Sequence, residues 1–149
     1  MQKLAAAICA ACLLIGGCGE NSQATGTEVK ETAPVKNSIT IQVNGKNFSA
    51  TLEDNFSARA FAENLPLEVD MTELNGNEKY FYLDKDLPSD AVNFKQIHAG
   101  DLMLFGSDCV VIFYKDFSTS YSYTPLGKLD NPEGLEETLG AGNVHVSYY

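Results

Sequence analysis

Tryptophan is absent from this 149-residue chain, arginine occurs once, as Arg59, and histidine occurs twice, as His98 and His145. The two histidines stand alone, with no His-x-His, His-Glu-x-x-His or Cys-x-x-Cys spacing beside them, so neither a metal nor a cofactor is expected. A Ser-His-Asp hydrolase is not expected either, because no Gly-x-Ser-x-Gly elbow accompanies a candidate base. Positive charge is scarce: ten Lys and Arg face twenty Asp and Glu, a net charge of −10, and no basic block offsets it. Such a balance repels a phosphate backbone, which removes nucleic acid from the expected partners. No apolar run reaches the roughly 20 residues that a membrane-spanning helix needs.

The four cysteines do not form a disulfide framework. Cys9 and Cys12 fall inside an N-terminal apolar stretch from Leu4 to Ile15, preceded by Lys3 and followed by Gly16-Gly17. Residues 1–17 read as an export signal, too short at 1.5 Å per residue to anchor the chain as a helix. Leu14-Ile15-Gly16-Gly17-Cys18 resembles the bacterial lipobox. That resemblance implies that Cys18 is acylated on sulfur and becomes the first mature residue, anchored to a membrane by its acyl chains. Gly19 stands where the inner-membrane retention signal of diderm lipoproteins has Asp, so an exported protein of the cell envelope, on the outer membrane where there is one, is implied. Cys109 is then left without a partner, and its setting in Cys109-Val110-Val111-Ile112-Phe113 reads as a buried, inert thiol.

From residue 18 to 37 the chain is rich in Gly, Ser, Thr, Glu, Lys and Pro without apolar periodicity, which reads as a disordered tether behind the lipidated cysteine. Residues 38–149 form one domain. Ile39, Ile41 and Val43 alternate with polar residues, Asn44-Gly45 turns, and Phe48, Ala50 and Leu52 alternate back, a hairpin pattern. A helix is expected after Asp54-Asn55, with Ala58, Phe61, Ala62 and Leu65 at helical spacing up to Pro66. Strands are expected at Leu67 to Met71, Tyr80 to Leu83, Asp101 to Phe105, Cys109 to Tyr114, Tyr121 to Thr124 and Val144 to Tyr148. A second short helix is expected over Pro132 to Leu139, opened by Asn131. Eight or so strands with two brief helices and no βαβ alternation make a mainly β fold, an antiparallel sheet closed as a barrel or folded as a sandwich. The strand from Val110 to Phe113, apolar on both faces, would have one face in a barrel interior and the other under a helix.

Asp54-Asn55-Phe56-Ser57-Ala58-Arg59-Ala60-Phe61, Leu65-Pro66-Leu67, Glu78-Lys79-Tyr80, Ala99-Gly100-Asp101-Leu102, Phe113-Tyr114 and Tyr121-Ser122-Tyr123-Thr124 with Leu126-Gly127 together resemble the bacterial cyclophilin-like fold family. The resemblance implies a closed eight-stranded barrel capped by two short helices. It does not carry an activity, because the small bacterial members largely have none assigned. The Phe-His-Arg and Phe-Met-x-Gln-Gly-Gly motifs of the prolyl-isomerase cyclophilins are both missing.

Prolyl isomerisation needs a donor that weakens amide resonance at the prolyl nitrogen, and Arg59 is the one guanidinium available. An ordinary helix-surface pair between Arg59 and Glu63, four residues on, is the alternative. Tyr80 and Tyr82 share a strand face, as do Tyr121 and Tyr123, and Phe105, Phe113 and Tyr114 lie on neighbouring strands. With Arg59 they make a candidate site for an extended peptide segment or a small apolar ligand, while cross-strand packing on the barrel wall is the plainer use of the same rings. The expectation is a membrane-anchored binding module, with a peptidyl-prolyl isomerase using Arg59 as the alternative.

Overall fold

The computed structural model describes residues 37–149. The expected leader 1–17, the acylated Cys18 and all of the expected tether but Asn37 lie outside the described residues. Eight strands close an antiparallel barrel in the order β1-β10-β3-β4-β7-β6-β9-β2. They are β1 (Ser38–Val43), β2 (Lys46–Leu52), β3 (Leu67–Leu74), β4 (Glu78–Tyr82), β6 (Asp101–Phe105), β7 (Cys109–Phe113), β9 (Thr124–Leu129) and β10 (Val144–Tyr148). Between β4 and β9 a separate two-stranded sheet pairs β5 (Gln96–Ile97) with β8 (Phe117–Ser118).

Alternation sets the barrel interior. Ile39, Ile41 and Val43 of β1, Phe48, Ala50 and Leu52 of β2, Met71 of β3, Phe81 of β4, Leu102 and Leu104 of β6 and Val110 and Ile112 of β7 form one buried cluster. Asn44 and Gly45, at φ 48° and 78°, make the two-residue turn between β1 and β2, the mirror-image turn that matches strand twist.

The helices close the two ends. Helix α1 (Phe56–Ala62) begins where the Asn55 side chain accepts a hydrogen bond from the Ala58 N–H at 2.7 Å, while its Nδ2 donates to the Pro125 carbonyl at 2.8 Å. The cap thus both starts the helix and fixes it to β9. Phe61 is fully buried and meets Tyr148 edge-on at 5.8 Å, a burial worth about 2–3 kcal/mol. Helix α2 (Leu135–Leu139) covers the other end with Leu135 and Leu139, and the Thr138 carbonyl accepts from Asn44 Nδ2 at 2.8 Å. It starts three residues later than the Pro132 expected. Asn131 accepts from the Glu133 N–H in a local turn, and Gly134, at φ 77°, breaks any helix begun before it.

Beneath α2 lies a buried charge that the hydrophobic pattern concealed. Lys79 shares the inward face of β4 with Phe81 and is fully buried. Its Nζ donates to the Gly140 and Gly142 carbonyls at 2.7 and 2.6 Å and to the Glu73 carboxylate at 2.5 Å. The ammonium therefore satisfies carbonyls of the Gly140–Gly142 turn that follows α2. The Tyr114 hydroxyl donates to the same carboxylate, at 2.9 and 3.0 Å to its two oxygens. Burial works against the charge on Glu73, yet the hydrogen bonds from Lys79, Tyr114 and the Gly76 N–H hold its carboxyl below the usual range.

Two expectations are corrected in β7 and β9. The outer face of β7 is covered by the β5–β8 sheet and not by a helix, for Cys109, Val111 and Phe113 form a second buried cluster with Ile97, Met103 and Tyr123. The strand expected at Tyr121 to Thr124 begins only at Thr124, because Tyr123 is drawn away by paired backbone bonds to Val92 of 2.9 and 3.0 Å. Gly127 sits within β9 opposite Leu52, and a Cβ there would lie 2.6 Å from the Thr51 carbonyl oxygen. Gly127→Ala is expected to destabilise the domain by about 1–3 kcal/mol in chemical denaturation. A neutral result would show that β2 moves aside freely.

Candidate functional site

The outer faces of β4, β7 and β6 make the floor of an open groove. Register places Tyr82 beside Cys109 and Cys109 beside Phe105, with Tyr80 beside Val111 in the next row. The wall is the segment from Phe117 to Tyr123, and the groove holds about 570 Å³. The wall is tied to the chain between β4 and β5. The Thr119 N–H donates to the Lys95 carbonyl at 3.0 Å, Asn93 Nδ2 donates to the Ser120 carbonyl at 2.7 Å, and Val92 bridges Tyr123.

Five of the aromatic residues singled out from the sequence line this groove: Tyr80, Tyr82, Phe105, Tyr121 and Tyr123. The Tyr80 and Tyr82 rings meet edge-on at 5.7 Å, and Phe105 contacts Tyr121 at 6.0 Å and Tyr123 at 5.6 Å. Tyr82 and Tyr121 remain about two-thirds exposed (65% and 64%), an apolar surface larger than scattered single residues supply.

The other three candidates lie elsewhere. Phe113 is buried beneath the wall, 5.4 Å from both Phe117 and Tyr123, and packs the groove without lining it. Tyr114, one residue on, turns to the opposite side and bonds Glu73. Arg59 is outside the groove: it pairs with Asp54 and lies 5.4 Å over the Phe56 ring. The expected partner was Glu63, but a helical side chain leans toward the N-terminus, which favours Asp54.

Of the groove residues not foreseen as site residues, three bear on its chemistry. Cys109 lines it, although burial pushes its thiol up to about 11, as befits an inert group. Asn77 lines the groove, and its Oδ1 is buried without a hydrogen-bond partner among the described residues. Glu78 is 8% exposed, and its carboxyl likewise has no hydrogen-bond or ion-pair partner among the described residues. Burial, reinforced by the charge of Glu73, raises it to about 7. The sequence did contain its signal: Glu78, Tyr80 and Tyr82 are alternate residues of one strand and must share a face. Among the described residues the lining carries one acid and no base. No group of three or more His, Cys, Asp or Glu is placed to hold a metal ion among them.

Residues 41–149 match the model of the cyclophilin-like family. The solution structure of a hypothetical protein from Archaeoglobus fulgidus superposes with a TM-score of 0.52 at 19% identity, covering 76% of this chain and 94% of that one. At that identity the likeness is one of fold. No curated protein matches the chain.

Proposed function

The chain belongs to the cyclophilin-like family, and we propose that its barrel is a non-catalytic binding module whose outer groove takes a small ligand with an apolar body. The observation that carries this reading is the gathering of five aromatic side chains around about 570 Å³, a volume in the range of small-molecule sites. The exposed rings of Tyr82, Phe105 and Tyr121 offer contact area that solvent otherwise covers. The module is held at the cell envelope through an acylated Cys18. The isomerase reading has less support, because the Arg59 guanidinium it requires is engaged with Asp54 outside the aromatic set.

The test is a titration of the full chain with phenylpropanol, followed by NMR. Shifts confined to Tyr80, Tyr82, Phe105, Tyr121 and Tyr123, and an affinity about tenfold lower in Tyr121→Ala, are expected. Shifts elsewhere, or none, would remove the groove as the site. A prolyl cis/trans assay on the same samples is expected to show no catalysis, and catalysis lost in Arg59→Ala would restore the isomerase.

A further inference from the structure

An apolar groove has no need of a carboxylate in its floor, and this one costs the fold something to keep. Glu78 is more than nine-tenths buried, and neither Lys nor Arg nor His answers it among the described groove residues. The adjacent residue repeats the pattern: the buried Oδ1 of Asn77 is an acceptor without a donor. A fully buried acceptor without a donor is uncommon in folded proteins, and here one adjoins a largely buried, unpaired carboxylate at one end of an aromatic groove. What is missing from both is an N–H donor, and for Glu78 a positive one.

We infer that the groove of this module takes a ligand bearing a protonated amine on its apolar body, with the ammonium against the Glu78 carboxylate and the body against Tyr80, Tyr82 and Tyr121. The inference rests on the groove being a ligand site and adds the charge of what enters it. Tyrosine faces attract a cation through the ring quadrupole, so the aromatic set serves an ammonium as well as its hydrocarbon. A carboxylate acceptor favours an ammonium that still has hydrogens to donate over a quaternary one. The excess of acidic residues over the whole chain draws cations toward the surface.

The same arrangement sets a pH dependence. The titratable groups around Glu78 are Glu73 on β3, Tyr80 and Tyr82 on its own strand, Cys109 on β7, Tyr114 beyond it and Tyr123 in the wall. None is basic, so burial and the charge of Glu73 keep Glu78 partly protonated near neutrality, and an ammonium must displace that proton. Affinity for an amine therefore rises between pH 6 and 8, and affinity for a neutral analogue does not.

The experiment compares phenylpropylamine, its trimethylammonium derivative and phenylpropanol on the full chain by calorimetry, with NMR to locate each. The amine is expected to bind about tenfold more tightly than the alcohol at pH 8, with the quaternary ammonium between them, and Glu78→Gln is expected to abolish the difference. Tyr121→Ala should weaken all three probes and leave their ratio unchanged. Equal affinities for amine and alcohol at the groove would overturn the cation and leave the binding module standing. An amine preference that survives Glu78→Gln would overturn the assignment to Glu78. No binding of any probe at the groove would overturn the inference and the module together.

Discussion

Lys79→Ala is expected to lower the unfolding free energy of the domain by about 3–5 kcal/mol, the cost of removing one member of a buried pair. Three acceptors converge on the Lys79 ammonium: the Gly140 and Gly142 carbonyls and the Glu73 carboxylate. Without it both carbonyls lose a charged donor, and a hydrogen bond to a charged group contributes roughly 1.5–3 kcal/mol. Glu73 suffers less, since it is partly exposed and keeps the bonds from Tyr114 and the Gly76 N–H. Lys79→Met separates packing from charge, because methionine keeps most of the aliphatic stem and none of the donors. Both variants should unfold well below the wild type, by more than about 10 °C for alanine. If Lys79→Met were within about 1 kcal/mol of wild type, the three hydrogen bonds would contribute nothing net.

Glu78→Gln should act in the opposite direction, and only above neutrality. The folded protein holds the Glu78 proton up to about 7, against an ordinary 4.5. A carboxyl with a raised folded pKa contributes stability that is complete below 4.5 and is lost as pH rises from there to 7. At pH 8 the wild type therefore carries a buried, unanswered negative charge that costs on the order of 2–3 kcal/mol. Glutamine keeps the shape and removes the charge. Denaturant unfolding of both proteins at pH 5 and pH 8 is expected to show near-equal stabilities at the lower value and a more stable variant at the higher. Glu73, whose folded pKa is depressed, works in the other window, its contribution fading as pH falls below the usual carboxylate range. A variant whose advantage did not change with pH would show that Glu78 ionises as freely as in water. Together with the loss of amine selectivity in the same variant, the result would place a functional group where the fold alone is better without it.

Period-two alternation made the hairpin of β1 and β2 and most other strands of the barrel legible in the sequence, because each has one face turned to a core, whereas β9, expected at Tyr121 to Thr124, runs from Thr124 to Leu129. The same rule explains why Tyr80 and Tyr82 could be placed on one face. It could not say that this face is the outer one, because Lys79 takes an inward position that the pattern reserves for apolar residues. Nor did it reveal the β5–β8 sheet: Gln96–Ile97 and Phe117–Ser118 are two residues each, too short for any periodicity, and are fixed by long-range partners. The doubly apolar β7 reads as covered on both sides, and so it is, but composition does not distinguish a covering helix from a covering two-stranded sheet. Arg59 attracted attention as the one arginine, and a count of residues carries no direction for a side chain. Glu78 was passed over because an isolated acid in a strand ordinarily faces water.

The order of the barrel has a consequence for orientation. β1, where the described chain enters, and β7, the centre of the groove floor, stand four strands apart whichever way the circle is followed. Entry point and groove thus occupy diametrically opposed walls, and the domain has a back and a front. Seen from β1, the aromatic groove lies on the far side of the barrel.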